Sequence, residues 1–546
     1  MSVLFDSFVA VLTAGICSAA FLGQRWLAQF ERAAARFSRR KTVTVVCLGL
    51  VTILSRLALL PVLPVPLPAI HDEFSYLLAA DTFAHGRLAN PPHPMWKFFD
   101  TFHVLQHPTY ASKYPPAPGL LMALGQLLGH PWIGVLITTA LMVMAMTWML
   151  QGWFPPPWAL LGGSLVFLRF GLFNFWVDSY YNGAVGTVGA ALVLGAFPRI
   201  QKRPRPRYAA ALGLGAIILA CSRPVEGFIF CVPVAVALVV QVIGKIRSDA
   251  TNTFRRTLLP LAVTLLAGLA GMAYYNFRVA RNPLELPYLV YHRQYFAYPA
   301  FIWQTPRPTL HYNNPQFETF FNVWQRARYP VSWRIWLKNT PEVFWAWWTV
   351  YLGPILTIPL LLLPRLLRNR KMLVPLAQCA LCLTGLLLVV WYQPHYGAPL
   401  AAAVFVLLVQ AMRYLRRVRW KDWAFGVLLT RILVLFTISW IFVETVHAAR
   451  HPMVSWYARK AEVNGTLASL PGNHLVLVRY LPSHNVHQEW VYNEAEIDRA
   501  RVVWARDIPG VDLNPLLAYF KDRNVWVVDA DLSPPRLEPY GKATAP

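Results

Sequence analysis

The sequence predicts an α-helical polytopic membrane protein, with about twelve spans followed by a small α/β unit. Three observations carry that prediction. First, 56% of the 546 residues are hydrophobic and only 14% are charged, where a soluble chain carries about a quarter charged residues. Second, the apolar residues gather in runs of about twenty, the length a helix needs to cross about 30 Å of hydrocarbon. A β-barrel would instead show short alternating strands. Third, the net charge of +25 is concentrated in short loops between those runs, as in loops that face the cytoplasm and its anionic leaflet. No nucleic-acid recognition module accompanies the basic charge, so nucleic acid is not an expected partner.

The expected spans fall near 5–23, 42–63, 131–151, 158–176, 183–198, 208–222, 225–244, 257–275, 343–363, 372–391, 397–413 and 423–446. A shorter apolar stretch, 120–128, suits a helix lying at the interface or part of a tilted span. The basic loops 25–41, 199–207, 245–256, 365–371 and 413–421 all land on one side when the spans between them are counted. That side is assigned to the cytoplasm, which places both termini, and loops 64–117 and 276–342, outside an inner (plasma) membrane. Loop 276–342 is also basic, but it is too long for the charge rule to bind strictly. The six cysteines all lie in apolar segments, so Cys379 and Cys382, though spaced C-x-x-C, read as small packing residues.

After residue 447 the composition changes. Residues 474–480, 502–504 and 525–529 read as short strands and 514–522 as a helix, which makes 448–546 a small soluble α/β domain beside the membrane domain 1–447.

Polar groups gather at the outer ends of the expected helices. Asp72 and Glu73 follow the second span, and Lys113-Tyr114-Pro115-Pro116 closes the same external loop. Asp178 follows the fourth span, Arg223 and Glu226 link the sixth and seventh, and His395 and Tyr396 precede the eleventh. Carboxylates there supply a base or a cation ligand; Arg, Lys and His supply phosphate contacts; aromatic rings supply stacking surfaces. Plainer readings stand beside these: Asp178 is also placed to cap the next helix, Arg223 and Glu226 to pair with each other, and the prolines after Lys113 to start a helix. Two adjacent carboxylates alone assign no metal, although a divalent cation can use them, and no cofactor is assigned.

This pattern resembles the GT-C class of integral membrane glycosyltransferases, especially the protein O-mannosyltransferase and aminoarabinose transferase branch. Asp72-Glu73 matches the acidic motif of that branch's first large external loop. Lys113-Tyr114-Pro115-Pro116 loosely matches its Lys-Pro-Pro element, with Tyr114 inserted, and Asp178 matches a second acidic residue at an outer helix end. An extra span precedes the acidic loop here. The resemblance implies transfer of a sugar from a polyprenyl-phosphate donor to a hydroxyl of a lipid, glycan or protein of the cell envelope, outside the cytoplasm and with inversion. It implies Asp72, Glu73 and Asp178 as the catalytic acids with Lys113 and Tyr114 beside the donor, and the position of Arg223, Glu226, His395 and Tyr396 at the outer helix ends makes them candidates for the donor phosphate and substrate. The competing readings are a transporter and a non-catalytic envelope-assembly factor. A transporter would concentrate ionisable residues near the bilayer midplane, whereas Arg56 and Arg169 are the main charges within the expected spans.

Overall fold

A computed structural model describes residues 15, 16, 18, 20, 23–181, 183–328, 333–450 and 456–541. Among them, seven helices are long and apolar enough to cross a membrane: Lys41–Ala58, Pro131–Trp153, Gly183–Lys202, Pro224–Gly244, Asp249–Ala280, Arg370–Leu387 and Phe425–Arg450. Trp333–Tyr351 and Gly353–Leu367, bent by 93° where they meet, make an eighth if taken as one broken span. The chain is a multi-pass membrane protein. Most of the expected spans coincide with these helices. The expected span 5–23 lies largely outside the described residues, and 158–176 is a helix only over Pro156–Phe170 before the chain turns.

Local chemistry sets the helix boundaries. Proline occupies the first turn of Pro131–Trp153, Pro156–Phe170, Pro206–Ala220 and Pro224–Thr253, where its missing N–H costs nothing. Leu400–Leu415 is almost wholly enclosed by its neighbours, as suits a helix hydrophobic all round. Leu54, Val240 and Leu266, each more than half exposed, mark faces turned to lipid. Close helix approach uses small residues: a Cβ built on Gly189 would sit 2.8 Å from the Gly215 carbonyl oxygen of the neighbouring helix.

Several of the basic loops meet at one end of the bundle. Arg416 and Arg431 both bind Glu31 (2.7 and 3.0 Å), Lys202 donates to the Gly152 carbonyl (3.0 Å), and Gln151 donates to the Lys41 carbonyl (2.9 Å).

Segment 64–117 is ordered structure rather than an open loop. It contains the helix His71–Ala84, the single turn Trp96–Phe99 and a hairpin of β1 (Val104–Leu105) and β2 (Ala111–Ser112). The stretch 120–128 belongs to the helix Pro116–Leu127, which packs against His71–Ala84.

The C-terminal residues build a four-stranded sheet from β3 (His474–Arg479), β4 (Val502–Arg506), β5 (Asn524–Asp529) and β6 (Arg536–Pro539), in the order β4-β3-β5-β6. β3 runs parallel to both β4 and β5, and β6 runs antiparallel to β5. Alternate residues face opposite sides. Val476, Val478, Trp504 and Val528 pack with Val463 and Leu467 of the helix Trp456–Ser469. Leu475, Leu477, Val503 and Val527 share a core with Leu78, Phe98, Phe99 and Val104 from segment 64–117. The sheet is thus seated directly on the helix that carries Asp72.

Candidate active site

The site grows from the first turn of the helix His71–Ala84. Glu73, at the third helical position, turns back. Its Oε2 accepts the backbone N–H groups of Ala69 (2.8 Å) and Ile70 (3.1 Å), satisfying donors that a helix start leaves orphaned. Its Oε1 accepts the N–H of Tyr180 (2.8 Å), which ties the 171–181 turn to the helix. Burial raises the Glu73 carboxyl, and these three N–H groups pull it back down.

Asp72 points elsewhere, because successive residues on a helix are about 100° apart. Its Oδ1 accepts the Tyr114 hydroxyl, and its Oδ2 lies 3.8 Å from His103 Nε2. Its side chain keeps 21% of its surface open, whereas Glu73 is 2% exposed.

Lys113, at the end of the hairpin, is buried. Its ammonium donates to His103 Nδ1 (2.9 Å) and is surrounded by the rings of Tyr291 (4.9 Å), Tyr114 (5.0 Å), Tyr288 (5.2 Å) and Phe296 (5.6 Å). Burial pushes the amine down to about 7, with Asp72 opposing that shift. Tyr114 stacks on Tyr76 at 4.3 Å, and burial beside Asp72 holds its hydroxyl well above the usual range.

Arg223 enters from the opposite wall, one residue before the helix Pro224–Thr253. Its guanidinium lies 4.9 Å from the Tyr396 ring and acts electrostatically on Tyr76, Glu226 and Tyr114. Glu226 and Tyr396 line a pocket whose other walls include Val225, Ile229, Cys382 and Leu386. That pocket is a small, mostly apolar gap. His395 is buried against the rings of Tyr181 (4.5 Å) and Tyr396 (4.9 Å), and burial holds its imidazole well below the usual range.

Asp178 is taken up by Arg56. The guanidinium donates to Asp178 Oδ1 (2.9 Å) and to the carbonyls of Leu63 (2.8 Å) and Pro64 (3.2 Å). Burial raises the Asp178 carboxyl to about 7 against the pull of Arg56. The clamp closes the end of Lys41–Ala58 onto the 171–181 turn, the same turn that Glu73 holds.

Asp72, Lys113, Tyr114, Arg223, Glu226 and Tyr396 therefore surround one cleft. His395 supports its rim, while Glu73 and Asp178 fasten the backbone behind it. The sequence pattern did not single out His103, Tyr288 or Tyr291. His103 was visible only as one of five histidines in segment 64–117. Among the described residues, no group of three or more His, Cys, Asp or Glu side chains is placed to hold a metal ion. Asp72 and Glu73 diverge, so they do not present a shared donor set.

No family model matches the sequence, and neither does any curated protein. Solved structures do match. ArnT from Cupriavidus metallidurans bound to undecaprenyl phosphate aligns with a TM-score of 0.50 at 13% identity, covering 89% of this chain and 92% of that one. The apo state of the same protein aligns with a TM-score of 0.49 over the same shares. The Archaeoglobus fulgidus oligosaccharyltransferase tethered to an acceptor peptide aligns with a TM-score of 0.40 at 13% identity, over 90% of this chain and 69% of that one. The chain has the fold of the GT-C membrane glycosyltransferases.

Proposed function

We propose that the protein is a membrane glycosyltransferase that moves a sugar from a polyprenyl-phosphate donor to an acceptor hydroxyl. One observation carries this reading: Asp72, a carboxylate held only by side chains and partly open, shares a cleft with two cationic groups, Lys113 and Arg223. The two cations suit the donor phosphate, and the carboxylate suits the acceptor proton. The fold shared with ArnT, whose crystals hold undecaprenyl phosphate, supports the same donor class. The acceptor is a lipid, a glycan or a peptide.

Asp72 takes the proton of the acceptor hydroxyl as its oxygen bonds to the anomeric carbon. The bond from that carbon to the phosphate oxygen breaks, and the electron pair leaves on the phosphate. Attack from the face opposite the phosphate inverts the anomeric centre. Arg223 and Lys113 neutralise the charge that develops on the leaving phosphate, with Tyr114 and Tyr396 beside it and His395 behind. Glu73 and Asp178 act by holding the first turn of His71–Ala84 and the 171–181 turn in register. The cleft faces outward from the plasma membrane in a topology of about twelve spans, with the C-terminal sheet on the same face.

The test is to incubate the purified protein in detergent or nanodiscs with a panel of radiolabelled polyprenyl-phosphate sugars, with and without envelope extract. Release of polyprenyl phosphate coupled to transfer of label supports the reading. No release from any donor refutes it.

A further inference from the structure

His103 is held more tightly than any packing role requires. It is a non-glycine residue with φ 64°, in the left-handed region that costs an ordinary side chain about 1–2 kcal/mol. Several contacts over-determine that conformation. The His103 N–H donates to the Tyr291 hydroxyl (2.8 Å), and its carbonyl accepts the Ser75 hydroxyl (2.6 Å) and the Lys113 N–H (3.3 Å). Strain of this kind persists where the surroundings enforce it, characteristically at functional sites.

The ring lies between Lys113 and Asp72. In its charged form the Lys113 ammonium only donates, so His103 Nδ1 then accepts at 2.9 Å, and the neutral imidazole carries its proton on Nε2. That N–H faces Asp72 Oδ2 at 3.8 Å, longer than a hydrogen bond. Catalytic contacts of this length commonly shorten when substrate binds. The other Asp72 oxygen is already held by Tyr114.

We propose that His103 is a positioning residue: its Nε2–H orients the Asp72 carboxylate toward the acceptor, while Lys113 fixes the tautomer. This rests on the transferase reading above. The titratable and charged groups that face His103 are Lys113 from the hairpin, Asp72 and His71 from the helix His71–Ala84, Tyr114, Tyr291 from the helix Pro287–Tyr295, and His487 from the segment after β3.

Two substitutions separate positioning from packing. His103→Asn tolerates the left-handed backbone well but is too short to reach Asp72. His103→Gln fits that backbone less well but carries an amide N–H about as far as Nε2. With saturating donor and acceptor, His103→Asn is expected to lose roughly tenfold or more in kcat, the scale of one hydrogen bond to a charged group, with donor KM unchanged. Removing a donor from a carboxylate raises its proton affinity, so the acid limb of the pH–rate profile should move to higher pH in His103→Asn and return toward wild type in His103→Gln. The double variant Asp72→Asn/His103→Asn should lose no more than Asp72→Asn alone, because the histidine acts through the aspartate. An acid limb unmoved in His103→Asn, or His103→Asn matching or exceeding His103→Gln, overturns the proposal while the transferase reading stands. If His103→Gln does not fold, the Asn profile and the double variant decide the matter. A wild type that transfers no sugar from any donor overturns both.

Discussion

The two sides of one helical turn do different work. On one side Asp72 meets only side chains, a tyrosine and a histidine, and stays accessible from the cleft. On the other, Glu73 meets only backbone N–H groups and is sealed. The Arg56–Asp178 clamp extends the sealed side, fastening the 171–181 turn to the end of Lys41–Ala58. An acid whose partners are backbone amides is part of the frame, and moving it moves the chain. An acid whose partners are side chains can trade one of them for substrate. Adjacent carboxylates in a motif therefore need not share a role.

The sealed side should break the hardest. Asp178→Ala leaves the fully buried Arg56 guanidinium without its counter-ion, and losing one partner of a buried pair costs about 3–5 kcal/mol. Thermal unfolding of the purified variant should show a lower midpoint even with donor bound. An unchanged midpoint would move Asp178 to the accessible side of the comparison.

Glu73→Gln should cost less, about 1–3 kcal/mol, because an amide NH2 replaces an oxygen that accepts backbone N–H groups. Its signature is a lowered unfolding midpoint with residual turnover in the fraction that folds. Full stability combined with lost turnover would give Glu73 a chemical role.

On the cleft side, Arg223→Ala should leave stability nearly intact and weaken donor binding roughly tenfold to a hundredfold, with little effect on acceptor binding. Equal donor affinity in variant and wild type would make its contact with the Tyr396 ring the better account of the residue. Lys113 adds a smaller, pH-dependent effect. Its pKa is lowered to about 7, so the amine is charged below that pH and neutral above it. Donor affinity should fall as pH rises through this range, and Lys113→Met should flatten the dependence. A wild-type donor affinity constant from pH 6 to pH 8, about one unit either side of that value, would remove Lys113 from the phosphate site.

Much of this was legible in the sequence, and the rest was hidden for physical reasons. Apolar run length marked most of the helices because hydrocarbon thickness fixes it. The acidic pair was legible as a pair, but its division of labour depends on a helix that starts at His71, which places Glu73 where it folds back over its own N-terminus. Arg56 could be seen as a charge within a span; its partner lies 122 residues away, beyond any local pattern. His103 depends on a left-handed backbone and a hairpin that brings Lys113 beside it, and neither leaves a trace in composition. β6 was missed because Arg536–Pro539 ends in proline, a residue that strands accept only at an edge, where β6 lies. The tail read as a separate unit from its change in composition, yet one face of its sheet shares a core with Leu78 and Phe99.

The central claim is that the accessible carboxylate is the base and the sealed one is not. Turnover of Asp72→Asn at saturating donor and acceptor tests it most directly, read as release of polyprenyl phosphate beside wild type, with donor affinity and unfolding midpoint measured on the same sample. The expected result is a loss of roughly 10²–10⁴ in turnover, the usual contribution of a general base, with donor binding and stability retained. Near-normal turnover in Asp72→Asn would contradict the assignment.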